Sequence, residues 1–386
     1  MSSRQEASAG FEILDDFERF RQKDDVFRRS WWDDEIRSEA SELFYATYRE
    51  PLENFRSAEG FTQKDYALRN AAWHVSDIFT ELKEKSDDRR EGFCDAFTVQ
   101  REVAAERLEF PSPAAAAADV KRVALGFGAD LVGVTDNDER WLYTHKFADG
   151  SGTERPNDIT AALPYVVVTA QSMDYDLIRT VPSALSGAAT GFGYSIDALV
   201  VLSLAQYIRN LGYNAVASLN DSSLAVPTAI KAGLGEYGRH GLLITKEFGP
   251  RVRLGKVFTD LPMELDTPIR FGVKEFCEVC RRCSDACPVG AISAGAPSAK
   301  RYNRSTIKGV RKWSIDGEKC FGYWVSQNSD CAICLRVCPY NKDYSRWWVR
   351  AGRRVAGTRL RRLMLWLDVR LGFGERMKPR RWWQGG

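Results

Sequence analysis

The sequence has no run of about 18 uncharged apolar residues, the length a membrane-spanning helix needs; its longest stretch, 161–171, is about ten residues and contains Pro164. No integral membrane span is therefore expected. It also lacks an excess of either charge, with 55 Lys+Arg against 52 Asp+Glu and a net charge of +3. A chain so balanced carries no overall nucleic-acid footprint, and DNA is not an expected partner. The first twenty residues lack the apolar core of a signal peptide and carry Glu6, Glu12, Asp15 and Asp16. Arg28 and Arg29 are followed by Ser30, Trp31, Trp32 and two aspartates rather than by an apolar run, which does not read as a twin-arginine export signal. The expected location is the cytoplasm. Compositional bias is absent too: 44% hydrophobic and 28% charged residues are near the globular average, which excludes wholesale disorder, collagen-like repeats and mucin-like stalks. At 386 residues the chain can form two or three units around a sizeable core.

Aromatic residues and cysteine are present in quantity. The 11 Trp, 14 Tyr and 20 Phe supply either large packing residues or the walls of a deep apolar pocket, with Trp31, Trp32, Trp73 and Trp324 as candidates. Of nine cysteines, eight fall between residues 277 and 338. In a reducing compartment such clustering argues for metal rather than disulfides. Cys277, Cys280, Cys283 and Cys287 form C-x2-C-x2-C-x3-C before Pro288, and Cys331, Cys334 and Cys338 form C-x2-C-x3-C before Pro339, with Cys320 eleven residues upstream. Each run reads as ligands of a [4Fe–4S] cube, and in two-cluster ferredoxins the last cysteine of a run serves the other cube. One cube is thereby assigned to Cys277, Cys280, Cys283 and Cys338, the other to Cys320, Cys331, Cys334 and Cys287. Paired zinc sites seldom use this spacing. Cys94 stands apart and reads as a small buried thiol.

Four regions follow. Residues 1–110 are polar and aromatic-rich, with helical spacing at Phe11, Ile13, Leu14, Phe17 and Phe20, and read as a helical cap. Residues 111–270 read as a mixed α/β domain. Ser112 and Pro113 open a helix that runs to about 125, and Gly126 and Gly128 end it. Strands are expected over 129–134, 165–170, 242–245 and 252–258, with a helix over 196–211. Residues 271–345 form a ferredoxin-like unit. The last segment, 346–386, holds twelve Arg+Lys against Asp368 and Glu375, interleaved with Trp347, Trp348, Trp366, Trp382 and Trp383. It reads either as a docking segment or as helix whose aromatics pack inward beneath solvated arginines. Gly233, Gly235 and Gly238 match G-x-G-x-x-G, yet 227–232 before them reads as helix rather than strand, so a dinucleotide site is rejected.

From Ser218 through Asn220, Ser222 and Leu234-Gly235-Glu236-Tyr237-Gly238-Arg239, on through Phe248-Gly249-Pro250-Arg251 to Phe276-Cys277, the sequence resembles the cobalamin-dependent reductive dehalogenases. The resemblance runs from about 129 to 344. It implies an α/β (α+β) fold in which a nitroreductase-like domain buries a base-off corrinoid beside a two-[4Fe–4S] ferredoxin-like domain. Ser222, Leu234, Gly235, Glu236, Arg239, Phe248 and Gly249 are the residues it places at the corrinoid. None of His74, His145 and His240 lies in a D-x-H-x-x-G pattern, in keeping with a cobalt that lacks a lower histidine and is more easily taken to Co(I). The family's Tyr, Asn and basic residue map, at spacings of 26 and 33, onto Tyr194, Asn220 and Arg253. Tyr194 would donate the proton, Arg253 would favour its phenolate and lower its pKa, and Asn220 would orient the hydroxyl or receive the halide.

The implied reaction replaces carbon–halogen by carbon–hydrogen in an organohalide. Without an export signal or a fused flavin reductase, electrons are expected from a separate ferredoxin or flavodoxin; a homodimer is allowed. Two other readings are epoxyqueuosine reductase, acting on tRNA, and a non-catalytic electron-transfer or corrinoid protein. Against the first, that family's cysteines lie earlier and its aspartate-bearing segment is replaced here by Asn220-Asp221-Ser222-Ser223. Against the second, an electron carrier has no use for Tyr194, Asn220 and Arg253 at these spacings.

Overall fold

The computed structural model describes residues 10–48, 58–87, 102–147, 153–157, 159–219 and 222–385, so Cys94 and Asn220 lie outside the described residues. Its central unit is built from α1 (Gln63–Asp87), α2 (Pro113–Gly126), β1 (Leu131–Asp136), β2 (Tyr165–Ser172), α3 (Ala184–Asn210), β3 (Ala215–Ser218), α4 (Ala225–Lys231) and β4 (Val252–Thr259). The helix start read from sequence holds: Ser112 Oγ accepts the amide of Ala115 at 3.1 Å, with proline in the first turn. The helix expected over 196–211 begins twelve residues earlier, where Ser183 Oγ accepts the Ser186 amide at 3.0 Å. Its first half is rich in Gly, Ala and Ser, so it carries little apolar period of its own.

The four strands form one antiparallel sheet in the order β1-β2-β4-β3. Both faces are covered. Val167, Ala217 and Val257 point toward α3, where they meet Val201, Leu204 and Ile208. Val166, Val168 and Phe258 point the other way, onto Ala229 and Ile230 of α4 and onto Trp141. A strand buried on both sides is apolar throughout rather than alternating, which is why 165–170 was legible in sequence. The polar exceptions in it, Thr169 and Gln171, are fully buried on the α3 side.

Among the described residues α3 is the one helix long and apolar enough to cross a membrane by length and composition. Reading contiguous uncharged runs overlooked it, because Asp197 interrupts it. It packs between α1 and the sheet, and more than half of its apolar stretch is buried inside the protein.

On the α4 side, Gly133 of β1 meets backbone: a Cβ there would lie 2.1 Å from the carbonyl oxygen of Ala232. Gly133→Ala is therefore expected to destabilise by about 1–3 kcal/mol, since neither backbone can retreat without opening the core; the urea unfolding midpoint checks this.

The N-terminal segment departs from expectation. Residues 11–20 are not helical: Glu12 and Ile13 pair antiparallel with Arg311 and Val310, and Phe11 and Phe17 pack edge-on against Trp141 with ring centroids 5.5 and 5.9 Å apart. Their spacing mimics a helix, but the aromatic anchors and the partner strand lie outside the segment, and that pairing overrides local preference. Helices Val26–Trp32 and Glu39–Ala46 follow.

The cysteine-rich region contributes α5 (Val273–Val279), α6 (Arg282–Asp285), α7 (Gly317–Gln327) and α8 (Ile333–Arg336), and the C-terminal segment a helical hairpin of α9 (Trp347–Ala356) and α10 (Arg361–Arg370).

Candidate active site and cluster region

Tyr194 sits midway along α3, facing β4. There Arg253, on the strand segment Val252–Thr259, donates from Nη2 to the Tyr194 hydroxyl, and its guanidinium lies 4.1 Å from the ring centroid. Gly193 makes room for this: a Cβ would lie 2.4 Å from Arg253 Cγ. The other face of the phenol is stacked by Trp73 of α1, with centroids 4.7 Å apart and an interplanar angle of 28°. Tyr194 and Arg253, predicted from sequence, are thus brought into direct contact, across 59 residues of chain. The third member, Asn220, follows Leu219, whose carbonyl accepts Lys256 Nζ.

Sequence reading missed a polar layer beside this pair. Gln171 lies opposite Arg253 in the β2–β4 register, is 1% exposed, and neither end of its amide finds a partner. The Nε atoms of Arg253 and Trp73 are likewise buried and unpartnered. Buried polar groups without partners cost about 1–3 kcal/mol each, so their convergence around one phenol marks a place where a polar ligand is received. The available signal was a Gln and a Thr inside an otherwise apolar strand.

Asp197, one turn beyond Tyr194, is fully buried. Its Oδ1 accepts Thr169 Oγ at 3.2 Å, and Gly255 leaves it space, since a Cβ there would lie 2.2 Å from that oxygen. Burial pushes its carboxyl up to about 7, against the opposing charges of Lys256 and Arg253. Between roughly pH 4, where an unfolded Asp ionises, and pH 7, the folded chain holds a proton that the unfolded chain has released, so this group's contribution to stability declines as pH rises through that window. Asp197→Asn is expected to remove that decline. Urea unfolding of both proteins at pH 4.5 and 7.5 checks it; parallel pH dependences would contradict it.

The cysteines fall into two groups. Cys277, Cys280, Cys283 and Cys338 line one small cavity together with Arg239, His240, Phe276 and Tyr340. Cys331 lies near Cys320 and Cys287, and Cys334 near Cys331, Cys320, Cys287 and, from the first group, Cys283. Burial pushes the thiols of Cys277, Cys280, Cys283, Cys320, Cys331, Cys334 and Cys338 up, with repulsion from neighbouring cysteines adding to it at most of them, Cys320 to about 11 and Cys283 and Cys331 to about 12. As thiolates they need a compensating cation, which iron provides. Among the described residues no three His, Cys, Asp or Glu side chains converge closely enough for a single metal ion. A tetrahedral zinc site would require sulfurs within about 3.8 Å of one another. The wider grouping around a cavity suits a cluster, and it brings Cys338 to Cys277, Cys280 and Cys283.

Several residues expected at a corrinoid have other employment. Glu236 Oε1 accepts the backbone amides of Phe271, Gly272 and Val273, capping the start of α5, the helix that bears Cys277. Arg239 is 2% exposed and donates to the carbonyls of Cys277, Cys280, Ser293 and Gly295 at 2.7–3.2 Å, stacking on Trp313. Gly235 passes against the Ile244 carbonyl and Gly249, at φ +60°, against that of Tyr340. These glycines, the acid and the base thus join the α/β unit to the cluster region, while Glu236 Oε2 stays buried and unpartnered. Leu234 and Phe248 pack into the core on the α4 side of the sheet. Ser222 bonds Ser218 Oγ at 2.5 Å, and beside it the hydroxyls of Ser223 and Thr144 are buried and unpartnered.

A continuous path connects the two parts. Trp73 meets Tyr48 edge-on at 5.9 Å, Tyr48 donates to Asp330 at 3.2 Å, Thr190 of α3 donates to the same carboxylate at 2.9 Å, and Asp330 precedes Cys331. Ala72, next to Trp73, packs in one apolar cluster with Cys283, Cys331 and Cys334. Of the other aromatic candidates, Trp31 stacks on Tyr45 and Trp324 on Phe27 in the N-terminal layer, and Trp32 leans on Phe147.

The chain is similar to known proteins over both parts of this region. Residues 276–341 match the 4Fe-4S double cluster binding domain and residues 156–263 the reductive dehalogenase subunit family. A tetrachloroethene reductive dehalogenase of Desulfitobacterium hafniense is 37% identical over 275 residues, 61% of this chain and 50% of the relative. A solved reductive dehalogenase, whose structure suggests a mechanism for B12-dependent dehalogenation, superposes with a TM-score of 0.71 at 25% identity, covering 95% of this chain and 48% of that one. An epoxyqueuosine reductase of Atelocyanobacterium thalassa is more distant, 26% identical over 237 residues. The chain spans about half the length of the dehalogenases it matches.

Proposed function

We propose that this chain, related to the reductive dehalogenases through residues 156–263, replaces carbon–halogen by carbon–hydrogen in an organohalide, with Tyr194 giving the proton. The hydrogen bond from Arg253 to the Tyr194 hydroxyl, beside a group of buried unpartnered polar atoms, carries this reading. The conversion consumes two electrons and one proton and releases halide. Arg253 holds the phenol in one orientation, and its fixed positive charge stabilises the phenolate left when the proton departs. Trp73, stacked on the opposite face, excludes water from the ring and confines its rotation. Gln171 Nε2, free to donate, is suited to receive the departing anion, a role the resemblance also implies for Asn220.

The residues present fit a corrinoid at one place: the buried, unpartnered hydroxyls of Ser223 and Thr144, next to Ser222, are donors suited to the amide side chains of a corrin rim. When bound, that group supplies the strongly reducing cobalt that breaks the carbon–halogen bond. The eight cysteines hold the two clusters that bring it electrons, and the nitroreductase-like architecture is the fold this reading carries with it.

The test is halide release by anaerobically reconstituted protein with reduced viologen and a panel of chlorinated and brominated phenols and alkenes, against free cobalamin at equal concentration. Release above that control is the expected result. Bound corrinoid and intact clusters with no release from any halide would overturn the reading, and epoxyqueuosine-containing tRNA would be the next substrate.

A further inference from the structure

The C-terminal segment divides into two parts of opposite character. Its end packs inward: Trp383 Nε1 donates to Asp65 at 2.9 Å, and Trp382 and Trp383 sit against the apolar cluster that contains Cys331 and Cys334. The α9–α10 hairpin instead turns aromatic and aliphatic groups outward, with Trp347 74%, Trp366 59% and Leu363 50% exposed. Isolated exposed apolar residues are ordinary, but a cluster of them on two adjacent helices marks a contact surface.

The charge of that surface is of one sign. Between residues 346 and 371 there are eight arginines and a single acid, Asp368. Asp368 is buried and turned inward, held by Arg282 and by Lys342 at 2.5 Å. Arg350, Arg354 and Arg362 are exposed among the tryptophans.

The inner side of the same hairpin lies on the cluster cavity. Met364 and Leu365 of α10 pack in the cluster of Cys277, Cys280 and Cys338, and Arg361 donates to the Glu275 carbonyl on α5 at 3.1 Å. Cys283 of the first group and Cys287, Cys331 and Cys334 of the second share one apolar cluster with Ala72, next to Trp73 and so to Tyr194. The hairpin therefore lies on the first cysteine group, which adjoins the second and, through Ala72, the candidate active site.

We propose that the outer face of the α9–α10 hairpin is the docking surface for the electron donor, a small acidic redox protein. This rests on the reading of the cysteine groups as [4Fe–4S] clusters. A basic rim steers an acidic carrier, and exposed tryptophans give the encounter an apolar centre. In each encounter the reduced carrier loses one electron and the oxidised cluster behind α10 gains it. Two encounters supply the two electrons that, with one proton from Tyr194, convert carbon–halogen to carbon–hydrogen and halide.

The experiment uses the full chain loaded with both clusters, reduced either by flavodoxin hydroquinone or by methyl viologen radical, with cluster bleaching followed by stopped flow at low and high salt. In Arg350→Glu/Arg354→Glu/Arg362→Glu, flavodoxin-driven bleaching is expected to slow roughly tenfold or more at low salt and to lose its salt dependence, while viologen-driven bleaching is not slowed. Trp347→Ser/Trp366→Ser is expected to weaken flavodoxin saturation with viologen rates unchanged. Unaltered flavodoxin rates in both variants would overturn the proposal. Sedimentation with phosphatidylglycerol vesicles, lost on charge reversal while flavodoxin rates stay constant, would overturn it in favour of an anionic bilayer. Failure of viologen to bleach even the unaltered protein would instead remove the cluster reading, and the docking site with it.

Discussion

Tyr194→Phe is expected to lower halide release by roughly 10²–10⁴-fold, the range a positioned proton donor contributes. The substitution removes one oxygen and leaves the ring to stack on Trp73, whose centroid lies 4.7 Å away. What is lost is the acceptor for the Arg253 guanidinium and the only proton held at the end of that hydrogen bond. The reaction still needs its proton, which would then come from water into a site that Trp73 and the sheet keep closed. Iron content should not change, because Tyr194 packs in a different part of the core from the cluster-region cysteines. Equal rates in the variant would refute the proton-donor role even if dehalogenation stands. Arg253→Lys separates charge from geometry: it keeps a cation but loses the planar fork, so activity between that of wild type and Tyr194→Phe is expected.

The second large effect concerns the pairing of cysteines. Crossed ligation places Cys277 and Cys338 at one cluster and Cys287 at the other, as the lining of the cavity by Cys277, Cys280, Cys283 and Cys338 indicates. Cys277→Ser/Cys338→Ser should therefore cost one cluster, with iron falling from about eight to about four atoms per chain. Cys277→Ser/Cys287→Ser should cost both. Ligation of each cluster by one contiguous run predicts the reverse, since Cys277 and Cys287 would then share a cluster and Cys338 would belong to the other. Iron and sulfide analysis with electron paramagnetic resonance of the reduced proteins distinguishes the two patterns. Either double variant should also stop flavodoxin-driven turnover, because the cysteine groups lie between the hairpin and Trp73.

Much of this was legible in the sequence wherever one residue type has one dominant use. Eight cysteines at cluster spacing admit few alternatives, and their pairing needed only the rule that the last cysteine crosses over. The central strand 165–172 announced itself by an apolar run, and Ser112 with Pro113 fixed a helix start to the residue. Tyr194 and Arg253 came from a resemblance, and the fold brings them into contact.

The failures share a cause. The ring spacing over 11–20 suggested a helix because periodicity reports which residues share a face, not what lies opposite; the partner strand at 310–311 is some three hundred residues away. The resemblance places Glu236 and Arg239 at a corrinoid but gives no sign that they also hold the start of α5 and the cysteine loop. Gln171, Asp197 and Lys256 gave little sign, since a lone polar residue in an apolar run gains meaning only from the groups that surround it.

The sequence by itself determined the cluster chemistry and three of the four strands of the central sheet, because these depend on residue type and local spacing; the strand Ala215–Ser218 escaped it, and the phenol and guanidinium came from the resemblance. Only the tertiary structure decided that Gly193 opens the space for Arg253 beside Tyr194, that an unpartnered polar layer lies next to them, and that the basic hairpin covers the cysteine group of Cys277, Cys280 and Cys338. Each of these is a contact between residues far apart in the chain. Such contacts are set by how helices and strands close-pack around a shared core, which no local window of sequence encodes.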